Sequence, residues 1–294
     1  MTALQLQVLS PSPWPEYELL DTGDEKKLER FGAYRLVRPE PQAIWTPTLA
    51  EREWARADAI FQRMTSDEGP GQWMQPRPLP ETWSLHYDNL TFLARLTPFR
   101  HTGIFPEHCA HWGWIEHLLA TAVTQPNVLV LFGYTGLTSL FAIRCGARVC
   151  HVDASQPAVR WAKENLAASH LADRTVRWIV DDVSKFVARE VRRGVRYDLI
   201  IMDPPVFGRG PKGEIWRLGA ALPNLIDQSL QLLSDRPLGL VINAYATTFS
   251  SLSLANLLDN ALQGRGGSVE AGELALLDTI QRPLSTALYA RWTA

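Results

Sequence analysis

The chain has 294 residues, 46 % of them apolar and 20 % charged, with a formal net charge of −2. This excludes a disordered chain and a polycation, leaves room for one large α/β domain plus an appendage, and confines any nucleic-acid surface to a local patch. The three cysteines (Cys109, Cys145, Cys150) form neither a metal-type spacing nor a disulfide framework, the N-terminus lacks the pattern of a signal peptide, and no apolar run approaches the ~20 residues of a membrane span, so the chain reads as cytoplasmic, without metal or membrane.

Residues 1–80 are rich in proline and tryptophan and do not alternate strand with helix. Residues 17–20 and 34–37 read as short strands, with Gly23-Asp24 and Gly32 as turns of a small β-meander. Residues 49–64 place Leu49, Trp54, Ala57, Ile60, Phe61 and Met64 at helical spacing, which predicts one helix. Residues 66–80, with Gly69-Pro70-Gly71 and further prolines, read as a loop. Seven of the eleven tryptophans precede residue 115. Packing is the simpler use for them, and stacking of bases is the alternative.

Residues 81–126 form a second stretch. Alternating apolar residues over 83–87 and 90–96, with Asp88-Asn89 between them, predict a β-hairpin. A bend at Gly103 and Pro106 leads into a helix over 107–119. If that segment lies over the open end of a sheet, Phe105 and the helix N-terminus face the ligand.

Residues 127–294 alternate regularly. Strands are predicted over 128–132, 148–152, 176–180, 197–202 and 238–243, followed by 269–277 and 286–292. Helices are predicted over 137–145, 157–168, 183–193, 222–233 and 252–262. Strand–helix alternation implies a parallel sheet with right-handed crossovers, and the last two strands, with no helix between them, imply an antiparallel pair at one edge.

The centre of this pattern is N-V-L-V-L-F-G-Y-T-G, from Asn127 to Gly136, followed by the run that ends in Asp153. Strand, glycine turn, helix, strand and acid make the front half of a nucleotide-binding βαβ unit. The dinucleotide fingerprint needs a third glycine. Here Tyr134 and Thr135 separate the only two, Gly133 and Gly136, and a bulky Tyr134 does not suit a pyrophosphate. A phosphate-free nucleoside fits better, with S-adenosylmethionine the obvious one; a plain strand-to-helix turn is the alternative. Ligands of open α/β sheets bind outside the C-terminal strand ends. Asp153 is placed there for the two ribose hydroxyls, and Asp182 for an adenine amine, with the Val183 backbone N–H toward the ring. Asp182 can equally be no more than a helix N-cap.

Asp203-Pro204-Pro205 is more specific, because two prolines fix a rigid exit from a strand and hold Asp203 at the sheet rim. Phe207 is placed to stack on a flat substrate. The run 208–213, G-R-G-P-K-G, is either a flexible, basic loop for phosphate or a mobile surface loop. Lys185, Arg189, Arg192, Arg193 and Arg196 are either a solvated cationic helix end or an RNA patch.

Taken together, V-L-V-L-F-G-Y-T-G, V-D-A-S, D-D-V and D-P-P-V-F-G resemble the successive motifs of class I S-adenosylmethionine-dependent methyltransferases. The nearest branch is similar to the bacterial large-subunit ribosomal RNA methyltransferases with a D-P-P-x-F motif, and G-I-F-P-E resembles that branch's segment beside the cofactor. The resemblance spans residues 83–294. It implies a Rossmann-like seven-stranded sheet with an antiparallel edge strand and a β-rich N-terminal extension. It also implies a cofactor shell of Phe105, Phe132, Gly133, Tyr134, Thr135, Gly136, Asp153, Ala154, Ser155, Asp182, Val183 and Asp203, with Asp203, Pro204, Pro205 and Phe207 at the reacting centre and RNA as partner.

Two departures limit it. The N-terminal stretch does not match the branch's RNA-binding module. The fifth strand ends V-I-N-A-Y-A-T-T, where the cytosine-C5 enzymes carry the cysteine that must add to the ring. Attack by a nitrogen needs only orientation toward the methyl donor, so an RNA nitrogen is the expected acceptor. A small molecule or protein as substrate, or a non-catalytic cofactor-binding module, are the alternatives.

Overall fold

The computed structural model describes residues 7–63, 71–245 and 247–294. These form two compact units. One takes in the stretch up to Leu9, His108–Leu274 and Thr286–Ala294; the other takes in Ser10–Glu107 and Ala275–Ser285. In chain order, β1 (Gln7–Leu9) belongs to the first unit and the next elements to the second.

The second unit holds a five-stranded sheet of β2 (Tyr17–Gly23), β3 (Lys26–Phe31), β4 (Tyr34–Pro39), β5 (Ala59–Arg63) and β6 (Gly71–Met74), in that order. The predicted meander is there, with Tyr17 opposite Phe31 and Phe31 opposite Tyr34. The predicted helix over 49–64 is not, as far as residue 63; Met64 lies outside the described residues. Only α1 (Glu51–Trp54) is helical, and no side chain caps it at Ala50. From Ala59 the chain pairs in parallel with β4 and antiparallel with β6. Ala57, Ala59 and Phe61 are all buried, a period of two that a short apolar run cannot distinguish from a helical stripe before its partner strands are known. The expected loop over 66–80 also departs from expectation, since its described part contains β6. A hairpin of β7 (Trp83–Tyr87) and β8 (Leu90–Ala94) follows, as read from its alternation.

A buried carboxylate organises this unit's connections. Asp21 accepts hydrogen bonds from the backbone N–H groups of Thr22, Thr48 and Leu49, from Trp54 Nε1 and from Arg282 Nη2. The early tryptophans serve packing: Trp14 and Trp83 are buried and donate to the carbonyls of His86 and Phe31, and Trp73 donates to that of Thr97.

A 3-10 turn, Pro106–His111, within which the first unit resumes at His108, and α2 (Trp112–Ala120) follow where a single helix was expected. Then come β9 (Asn127–Leu131), α3 (Leu137–Arg144), β10 (Arg148–Asp153), α4 (Gln156–Ala168), β11 (Val176–Val180), α5 (Val183–Arg193) and β12 (Leu199–Met202). A two-stranded ribbon, β13 (Phe207–Arg209) and β14 (Ile215–Arg217), precedes α6 (Leu218–Leu230). The chain closes with β15 (Gly239–Ala244), α7 (Ser251–Ala261), β16 (Ser268–Leu277) and β17 (Pro283–Thr293). α6 begins four residues before the predicted 222 and carries Pro223 inside it.

These strands form one sheet in the order β1-β16-β17-β15-β12-β9-β10-β11. The seven predicted strands are present, and β1 adds an eighth, parallel to β16. β9, β10, β11, β12 and β15 run parallel, while β17 runs antiparallel to β15 and lies inside the sheet order. Parallel strands covered on both faces need unbroken apolar runs. Leu199-Ile-Ile-Met202 and Gly239–Ala244 are buried throughout. The chain runs outward from β9 to β10 and β11, then returns to β12 on β9's other side. That reversal opens a crevice at the C-terminal ends of β9 and β12.

Candidate active site

The turn after β9 combines two bulky residues in the left-handed region, Phe132 (φ 57°) and Tyr134 (φ 47°), with Gly136 at φ 84°. Each such non-glycine residue costs roughly 1–3 kcal/mol, a strain that persists only where its surroundings over-determine it. Here they do. Gly133 N donates to the Val152 carbonyl (3.0 Å), and Gly136 N to that of Gly133 (2.9 Å). A Cβ on Gly133 would lie 2.4 Å from Cε1 of the buried His151, and one on Gly136 would lie 2.9 Å from Cβ of Ala162. Asn165, buried on α4, donates to the Thr135 carbonyl (2.8 Å). His151 is held by Ser139 Oγ (2.9 Å) and kept neutral, its imidazole pushed down to about 3 by burial.

Asp153 is clamped by two backbone donors: Tyr134 N to Oδ2 (2.9 Å) and Ser155 N to Oδ1 (2.8 Å). Burial raises its carboxyl above the ordinary value, against the pull of these two bonds. Each carboxylate oxygen keeps a further lone pair, enough to accept two adjacent hydroxyls. Ala154 and Ser155 continue the loop, with Ser155 as the α4 N-cap. Asp182 is the α5 N-cap and accepts from Lys185 N (2.9 Å), so the plain structural role is occupied. The Val183 N–H, in the first turn of α5, has no intrahelical acceptor. This donor and acceptor set, in a turn whose Leu131 stands where the dinucleotide fingerprint has its first glycine, fits a phosphate-free nucleoside.

On the other side of the switch, Asp203 N donates to the Leu131 carbonyl (3.3 Å). Asp203 Oδ2 lies 3.4 Å from His108 Nε2, and the same nitrogen meets the hydroxyl of Tyr245, just beyond β15. One turn on, His111 Nε2 bonds Asn243 Oδ1 (2.9 Å). Residues i and i+3 of a 3-10 turn eclipse, so the two histidines face Asn243 and Tyr245 together. Sequence reasoning missed these four residues. The signals were the H-C-A-H spacing before α2 and the polar pair closing the fifth strand.

Pro204 and Pro205 lead into the ribbon, where a loose loop was expected over 208–213. It forms a β-turn within the ribbon. Gly210 N donates to the Glu214 carbonyl (2.9 Å), Lys212 N to Glu214 Oε2 (2.8 Å), and Lys185 forms an ion pair with Glu214. Trp216 is buried, donates to the Pro205 carbonyl (2.6 Å) and packs on Phe132 with ring centroids 4.9 Å apart. The opposite ribbon face displays Phe207 across from Arg217, and Arg209 across from Ile215, all exposed.

Much of the cationic helix end is paired: Arg189 with Asp181 (2.7 Å) and Arg193 with Glu190 (3.4 Å). Burial raises the Cys145 thiol, and the Cys150 thiol to about 11; Cys109 is buried. The sheet thus gathers the glycine turn, Asp153 to Ser155, Asp182, Val183 and Asp203 at one set of strand ends. Phe105 belongs to the other unit, its ring 5.1 Å from that of His101.

Residues 25–234 match the family model described as S-adenosylmethionine-dependent methyltransferase. The chain is 45 % identical to the crystallised SAM-dependent methyltransferase from Agrobacterium tumefaciens, with a TM-score of 0.93 over 98 % of this chain and 93 % of that one. It is 25 % identical over 220 residues to ribosomal RNA large subunit methyltransferase K of Neisseria meningitidis, covering 72 % of this chain and 61 % of that protein. It is 30 % identical over 141 residues to ribosomal RNA large subunit methyltransferase K/L of Syntrophotalea carbinolica, covering 48 % of this chain and 19 % of that protein. The chain therefore spans less than two thirds of these two curated relatives.

Proposed function

The chain belongs to the S-adenosylmethionine-dependent methyltransferases, and on that footing we propose that it methylates a nitrogen of RNA, with cytoplasmic large-subunit ribosomal RNA as substrate. When bound, S-adenosylmethionine supplies an electrophilic methyl group. Asp153 holds the ribose hydroxyls; Asp182 and Val183 take the adenine edge; Phe132, Gly133, Tyr134, Thr135, Gly136, Ala154 and Ser155 shape the cradle. Asp203, Pro204, Pro205 and Phe207 position the acceptor.

The ribbon carries the RNA reading. Two exposed arginines alternate with an exposed phenylalanine and isoleucine, on a stem fixed to Asp203-Pro-Pro. Arginine grips phosphate and stacks on bases, while an aromatic face takes any base. The formal charge of −2 makes such a local patch the available route to a polyanion. A nitrogen acceptor is supported by Tyr245 at the strand end and by the raised thiols of Cys145 and Cys150, since cytosine-C5 methylation needs a thiolate. The test is partition of labelled methyl from S-adenosylmethionine among the RNA, protein and small-molecule fractions of a bacterial extract. Label in RNA supports the proposal; label confined to either other fraction replaces it.

A further inference from the structure

We propose that Tyr245 and His108 form a proton relay braced by Asp203, and hence that the methylated nitrogen is one that bears a hydrogen. This rests on the RNA reading above and narrows it. Three elements converge on one nitrogen: the 3-10 turn brings His108 Nε2, the end of β15 brings the Tyr245 hydroxyl, and the end of β12 brings Asp203 Oδ2 at 3.4 Å. All stand at the C-terminal strand ends beside the crevice, where the acceptor must lie. Tyr245 follows the strand on which a carbon-directed enzyme would need its cysteine.

A nitrogen that attacks with a hydrogen still attached must lose a proton; a pyridine-type ring nitrogen such as purine N7 has none to lose. A site built only for the latter needs no base. In the relay the acceptor's lone pair forms the new N–C bond, and the methyl–sulfur pair stays on sulfur. The N–H proton passes to Tyr245 Oη as the phenol's own proton moves to His108 Nε2. The resulting imidazolium faces the Asp203 carboxylate and later loses its proton to solvent. The groups that face His108 include Tyr245, Asp203 and, on its own turn, His111. His111 is pushed down to about 3, chiefly by burial and against its bond to Asn243, so it stays neutral and supplies no acid limb near neutrality. Tyr245 is the catalytic residue here, and His108 the residue that positions and discharges it.

The test uses the full chain and unmodified transcripts of large-subunit ribosomal RNA. Product nucleosides are identified by mass spectrometry, and kcat is measured against pH for the native protein, Tyr245→Phe and His108→Gln. Calorimetric binding of S-adenosylmethionine shows that each variant is folded. General-base assistance is worth about 10²–10⁴-fold. Tyr245→Phe should therefore lower kcat by about 10²-fold with cofactor affinity unchanged, and the fall in rate on acidification should be absent in His108→Gln. The product should be an N-methyl nucleoside derived from an N–H. A 7-methylguanine product, or a Tyr245→Phe variant with native kcat and pH profile, overturns the relay and leaves the RNA reading intact; a carbon-methylated product overturns the relay and the nitrogen acceptor together. Cofactor binding with no label in RNA overturns that reading and the relay with it.

Discussion

Burial holds the carboxyl of Asp153 above the ordinary value, although two backbone N–H groups favour its charged form. Only the anion can accept from both ribose hydroxyls. Cofactor affinity should therefore fall on acidification at a higher pH than an unperturbed aspartate would give. The sign for stability is the reverse: with its folded value raised, ionised Asp153 costs the empty protein stability above that value, and acid relieves the cost. Asp153→Asn should weaken S-adenosylmethionine binding by roughly 1–3 kcal/mol and flatten its acid dependence, both read by calorimetry at a series of pH values. Asp153 was legible in the sequence because a strand end after a glycine turn leaves few roles for an acid. His108 and Tyr245 were not, because 137 residues separate them and only the parallel sheet brings their elements together.

Among the elements, the ribbon of β13 and β14 departs most from its sequence reading. G-R-G-P-K-G has the composition of a mobile loop, and nothing local shows that Glu214 will accept from Lys212 and pair with Lys185, or that Trp216 will anchor on Pro205. These are tertiary contacts that override local propensity. The same failure placed a helix over 49–64, where β5 instead found partners on both sides. Elements of the main sheet were legible to within a few residues, because buried parallel strands and capped helices leave strong one-dimensional signals. An ordered ribbon makes two expectations. Arg209→Ala with Arg217→Ala should weaken RNA retention on filters and reduce the salt slope by about one for each phosphate no longer neutralised, with cofactor affinity unchanged. Phe207→Ala should lower kcat on RNA several-fold while calorimetry shows native cofactor binding.

Across the whole chain, each unit carries its own polar anchors. In the second unit Glu29 is fully buried and accepts from Arg38 Nε (2.6 Å) and Nη2 (2.7 Å) and from the Tyr17 hydroxyl (2.9 Å). Burial alone would raise its carboxyl; Arg38, Lys27 and Tyr17 bring it below the usual range. Such a group adds stability above its unfolded value and loses it as pH falls through the lower folded one. Arg38→Met should cost about 3–5 kcal/mol at neutral pH by leaving a buried charge unpaired, and the deficit should shrink in acid as Glu29 takes up a proton. Denaturant unfolding at pH 7 and pH 4 measures both. A similar deficit at the two pH values would show that Arg38 contributes packing and not charge.

The central claim is that the strained glycine turn, Asp153 and the Asp203-Pro-Pro ribbon act as one site that moves a methyl group onto an RNA nitrogen. The most direct measurement incubates unmodified large-subunit ribosomal RNA transcripts with methyl-labelled S-adenosylmethionine and the native chain or Asp153→Ala. The RNA is then digested and its labelled nucleosides identified by mass. The expected result is one nitrogen-methylated nucleoside with the native chain and little or none with the variant. Label on a ring carbon, or none in RNA while the cofactor binds, would contradict it.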